Sequence, residues 1–121
     1  MNKYKDTPQD IHQRIHKFVV SCFKDIVKKI PKTMENIPVI QQLSSALTSI
    51  GVNDQEADGA LTKKDFIAKY SIVKKEAKET KYWLTFVKEA DLINDNGINY
   101  YIQECHEILM IISKIINNTL Y

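Results

Sequence analysis

Three histidines, two cysteines and fifteen carboxylates are the side chains of this 121-residue sequence whose types could do chemistry. His12 and His16 stand four apart, the spacing that puts two imidazoles on one helix face and could let them share a metal ion. No third ligand is evident nearby, so a solvated or packed pair of histidines is the expected reading. Di-iron bundles need a Glu-x-x-His pair on each of two helices; none occurs here, and Glu104, His106 and Glu107 have the wrong spacing. Glu76 and Glu79 are three apart, as are Asn53 and Glu56, but spacing alone does not bring these groups to one level for acid–base work. Ion pairs with Lys75, Lys78 or Lys81 are the commoner fate of such glutamates. Cys105 and His106 are neighbours and so point to different helix faces, which gives the thiol no base. A glycine-rich phosphate loop is missing. No catalytic residue, metal or cofactor is expected, and the chain is not read as an enzyme.

Lysine carries the remaining binding chemistry. The stretch KDFIAKYSIVKKEAKETKYWL, Lys64 to Leu84, mixes six lysines with four aromatics. Lys63, Lys64, Lys74, Lys75, Lys78 and Lys81 could form a basic stripe for the phosphates of structured RNA or another nucleic acid. Arg14 is the only arginine, which argues against sequence-specific readout by bidentate contacts. A lysine face that only meets water is the competing expectation.

Four helices must position these groups. Thr7-Pro8 signals a helix start, and apolar positions Ile11, Ile15, Phe18, Cys22 and Ile26 continue the helix to the break at Pro31, over about 9–30. The second helix spans about 36–57, with Asn36 as cap, Pro38 in the first turn and Gly51 inside it. The third opens at Thr62, with Asp65 three residues on, and runs over about 63–92. Phe66, Tyr70, Val73, Ala77, Thr80, Leu84 and Val87 alternate steps of four and three, a seam that lets one helix lie along another. After the turn Asn94-Asp95-Asn96-Gly97 the fourth spans about 97–118, and its apolar residues cover half the circumference, broken by Glu104. That arc exceeds one bundle interior and points to a second subunit on helix four, with Ile108, Ile111 and Ile115 as the interface. Short connections and scarce Gly and Pro predict one all-α domain over 1–121, an antiparallel up-down-up-down four-helix bundle.

Charge alternates along the chain. Residues 1–32 carry eight basic and three acidic groups, and 33–62 carry none and four. Residues 63–88 carry eight and three, and 89–121 carry one and five. Basic helices lying beside acidic ones would attract, by about 0.2–1 kcal/mol per exposed pair. No apolar run is long enough to cross a membrane and the two cysteines read as reduced core residues, so a cytoplasmic location is expected.

Residues Ser49 to Ile93 carry a resemblance. Ser49-Ile50, Asn53, Glu56-Ala57, Thr62-Lys63, Asp65-Phe66-Ile67, Lys75-Glu76-Ala77, Glu79-Thr80 and Tyr82-Trp83-Leu84 resemble the signature of four-helix bundle proteins first met as products of intervening sequences in bacterial 23S rRNA genes. That resemblance implies a left-handed antiparallel bundle, assembly as a ring-like homopentamer, and no enzymatic activity. It also implies a link to nucleic acid, since a related branch, the accessory proteins of diversity-generating retroelements, is basic and binds it. Ser45 stands where the family's Gln-Leu-x-Arg pattern, begun here by Gln42-Leu43, has arginine.

Overall fold

The structure, a computed structural model, describes residues 8–120, with side chains from residue 11 onward. Thr7, expected to start the first helix, lies outside the described residues. Four helices follow: α1 (Pro8–Asp25), α2 (Ile37–Asp58), α3 (Lys63–Glu89) and α4 (Gly97–Leu120).

Three boundaries differ from expectation for local reasons. The expected first helix to residue 30 divides: α1 ends at Asp25 and Val27–Lys29 form a 3-10 turn. Pro31 forces the preceding residue out of helical backbone, and Ile30 is extended at ψ 124°. The tighter turn still buries Ile26, Val27 and Ile30 together. Asn36 does not cap α2; its backbone is helical, and its Nδ2 donates to the Pro31 carbonyl at 3.0 Å, closing the connection from α1. α3 stops three residues before the expected Leu92. Asp91 takes a left-handed φ of 55°, and the Asp91 and Leu92 amides donate back to the Lys88 and Val87 carbonyls. This is the Schellman reversal, with half-buried Leu92 covering Val87.

Elsewhere the local chemistry is as expected. Thr62 accepts from the Asp65 amide at 3.0 Å and so caps α3. Gly51 does not interrupt α2, which runs unbroken to Asp58. Asp95 Oδ1 accepts from the Gly97 amide at 2.8 Å and opens α4, while Lys29 Nζ reaches Asp95 Oδ2 at 3.0 Å from the α1–α2 connection at the same end of the bundle.

The helices pack as an antiparallel bundle in which α3 lies against α2 and α4, and α1 lies against the same two more loosely. α1 and α3 are therefore diagonal. Both are the basic helices, so each basic helix has only acidic neighbours. Interhelical pairs follow that order: Arg14 of α1 with Glu104 and Glu107 of α4, and Lys69 of α3 with Glu56 of α2. One continuous core runs from Ile11, Ile15 and Phe18 through Leu43, Leu47 and Ile50 to Val73, Leu84, Ile108 and Ile112. Each such side chain contributes about 1.5–3 kcal/mol on full burial, far more than any surface pair, so burial sets the fold and charge biases the order.

Candidate functional site

The signature residues converge on the outer seam between α2 and α3. On α3, Asp65, Glu76, Glu79 and Trp83 fall within about 60° of one another at 100° per residue. α2 runs antiparallel beside them. Asn53 Nδ2 donates to the Ser49 carbonyl at 2.9 Å and to Ser49 Oγ at 3.0 Å, and Ser49 Oγ donates across to Glu76 Oε2 at 3.4 Å. Two helix turns further along α2, Glu56 pairs with Lys69 of α3. The levels that spacing left open are thus matched in one register: Ser49 opposite Glu76, and Glu56 opposite Lys69. Phe66 packs on Tyr70 as a tilted pair with ring centroids 4.7 Å apart, which anchors the start of α3 to the core.

At the other end of α3 the seam becomes aromatic. Tyr82 and Trp83 meet edge to face at 5.1 Å, and Trp83 and Phe86 do so at 5.6 Å. Trp83 packs partly on the core, whereas Tyr82 is 59% and Phe86 37% exposed.

The lysines form a separate, adjacent face. Lys63, Lys64, Lys74, Lys75, Lys78 and Lys81 all lie within about 120° of arc on α3. Lys63, Lys64, Lys75 and Lys78 are exposed, while Lys74 is half-buried and Lys81 donates to His106 Nδ1 of α4 at 3.0 Å. Helix one cannot extend this stripe, because α1 is diagonal to α3. Two lysine faces on opposite sides replace the joint surface that the basic segments suggested.

Helix four corrects a further expectation. Ile108 is 1% exposed and enclosed in the core of a single chain, so it is not available to a second subunit. Ile111 and Ile115 are half-buried against the same core. The wide apolar arc is absorbed because α4 faces both α1 and α3, and Glu104, which breaks the arc, has its own partner. Arg14 grips it through Nε and Nη2, both at 2.8 Å, and adds Glu107 through Nη2 at 2.8 Å. These carboxylates hold the guanidinium firmly in its charged form, and the Glu107 carboxyl is lowered in turn by Arg14. The sole arginine is therefore a bundle clamp.

A buried polar network was missed by spacing arguments. Asp54 of α2, 1% exposed, accepts on Oδ1 from Tyr70 Oη of α3 at 2.8 Å and sits 2.8 Å from His12 Nδ1 of α1. His12 Nε2 lies 3.1 Å from Asp58 Oδ1. Both ring nitrogens of His12 thus face carboxylates, and His16, one turn further along α1 and exposed, does not join it. Burial raises the Asp54 carboxyl, and the hydrogen bonds from Tyr70 and His12 only partly oppose this. Burial and the Asp54 charge raise the Tyr70 phenol. The available signal was register: Asp54 continues the apolar row Leu47, Ile50, Asp54, Ala57, so a charge stands at a core position. Among the described residues no group of three or more His, Cys, Asp or Glu is placed to hold a metal ion.

The fold and this seam define the class: an all-α antiparallel four-helix bundle carrying a polar and aromatic motif between its second and third helices. The family described as 23S rRNA-intervening sequence protein matches residues 8–114, and the chain belongs to that family. A crystal structure from Bacteroides thetaiotaomicron, described as a protein with unknown function from the S23 ribosomal protein family, is similar at 27% identity. The match has a TM-score of 0.80 and covers 91% of this chain and 97% of that one. No curated protein matches the chain.

Proposed function

We propose that the protein is a non-catalytic interaction bundle that assembles with copies of itself. The observation that carries this is the aromatic cluster of Tyr82, Trp83 and Phe86 at the end of the signature seam, where a lone chain leaves Tyr82 mostly and Phe86 partly in water over a half-buried Trp83. Exposed aromatics rimmed by polar side chains mark association surfaces, where rigid rings contribute most of the binding energy. Self-assembly also agrees with the ring of five that the family resemblance implies. A non-catalytic role is supported by how the reactive groups are engaged: His12 lies between two carboxylates, and burial raises both thiols. The two buried, unpaired cysteines suit a reducing cytoplasm, and no helix of the described residues is long and apolar enough to cross a membrane. Introducing charge with Tyr82→Glu and Phe86→Glu tests the surface: sedimentation should show a smaller species with unchanged helicity, and an unchanged mass removes this surface from the assembly.

A second reading rests on the α3 stripe, where exposed Lys63, Lys64, Lys75 and Lys78 stand on one face with Tyr82 at its edge. Structured RNA is its partner. Titration at two salt concentrations checks it: four phosphate contacts give a log–log salt slope of roughly −3. Binding that survives replacement of those lysines, or no binding at low salt, ends this reading.

A further inference from the structure

Where α1 lies loosely on α2, the surface opens into a groove of about 240 Å³ level with Gly51. Ile15 and Val19 of α1 and Val52 of α2 give it apolar walls. Its width depends on Gly51, since a Cβ there would already touch both methyls of Val19 at 3.7 Å, and a larger side chain would occupy the space. Asp54 also lines it. This carboxylate is 1% exposed, and its two bonds, to Tyr70 and His12, both fall on Oδ1. Among the described residues nothing bonds Oδ2, although a carboxylate offers about four acceptor sites.

The local charge is short of cations. Asp54 and Asp58 flank the imidazole of His12, and the exposed His16 imidazole and the Gln55 amide line the groove without bonding either carboxylate among the described residues, so a protonated His12 alone leaves one negative charge uncompensated. Arg14 and Lys69, which could have supplied it, are engaged with Glu104 and Glu56. At the rim, Thr48 Oγ1 gives its hydrogen to the Ser44 carbonyl at 2.8 Å, which leaves its oxygen lone pairs as acceptors. The groove thus sets the buried Asp54 carboxylate beside hydrocarbon, with the Thr48 hydroxyl, the His16 imidazole and the Gln55 amide at its polar rim. An anion would be repelled, and a neutral alcohol would leave the charge unmet.

We propose that this groove is a binding site for a small primary amine, with the ammonium on Asp54 and the hydrocarbon body against Ile15, Val19 and Val52. The site is independent of the assembly proposed above. Its components suit one another: an ammonium brings three donors and the missing charge, and a low-dielectric wall strengthens their attraction. The probe is phenethylamine, titrated into the ¹⁵N-labelled full chain at neutral pH beside 2-phenylethanol and phenylacetate. The expected result is saturable shifts of the Val19, Gly51, Val52 and Asp54 amides with the amine, affinity for the alcohol at least about tenfold lower, and none for the acid. Gly51→Leu, which fills the groove and leaves the Asp54, His12 and Tyr70 side chains in place, should abolish the shifts while retaining a dispersed spectrum. Asp54→Asn should weaken the amine about tenfold and leave the alcohol unchanged. Equal binding of all three probes, shifts that survive Gly51→Leu, or no saturable shift into the millimolar range would overturn the site.

Discussion

Tyr70 of α3 donates its phenolic hydrogen to Asp54 Oδ1 of α2 at 2.8 Å, and the same oxygen sits 2.8 Å from His12 of α1, so one buried carboxylate joins three helices. A buried charge without partners costs more than its hydrogen bonds return, which makes this oxygen a point where each donor matters.

Tyr70→Phe keeps the ring in the core and removes only the donor. It should lower the unfolding free energy by about 1.5–3 kcal/mol, the range for a bond to a charged group, read from urea unfolding. The pH dependence has a defined sign. Burial raises the Asp54 carboxyl above its unfolded value, so its contribution is complete below about pH 4 and is lost as pH rises through the folded value. Paired melts of wild type and Asp54→Asn at pH 4 and pH 7 should therefore show the difference moving in favour of the asparagine variant at pH 7.

The Arg14 clamp on Glu104 depends on a planar fork that lysine lacks. Arg14→Lys should cost about 1 kcal/mol in unfolding free energy, with hydrogen exchange of α1 amides increased more than that of α3.

Cys105 is fully buried, its Sγ donates to the Ala77 carbonyl at 3.3 Å, and burial pushes its thiol up to about 12; Cys22 is raised further by the same cause. At pH 8 neither should react with a disulfide reagent in the folded protein, whereas both should react at once in denaturant. Rapid labelling of the native chain would contradict the burial of these residues.

Much of this fold was legible because apolar spacing is a strong signal: the α3 seam from Tyr70 to Val87 is buried as the four-and-three steps implied. What escaped depended on partners in other helices. Ile108 reads like any residue of a wide apolar arc until α1 and α3 are seen to share that arc. Asp54 and His12 reveal their bond only when α1 and α2 are brought side by side, and they are 42 residues apart in sequence. The signature residues were legible as a motif, but the α2–α3 register that sets Ser49 opposite Glu76 follows from packing.

Two backbone positions give independent checks. Gly51 lies inside α2, and a methyl there meets Val19 at an ordinary contact distance, so Gly51→Ala should stabilise by about 0.5–1 kcal/mol. Asp91 ends α3 in left-handed backbone that glycine adopts freely, so Asp91→Gly should stabilise by a similar amount, about 0.5–1 kcal/mol, in thermal unfolding.

The central claim is the proposal that the chain assembles with copies of itself. Light scattering at micromolar concentration measures this directly. A mass several times the 14.0 kDa of one chain, five-fold for the ring the family resemblance implies, is the predicted result. A species that stays at 14.0 kDa across that concentration range would contradict it.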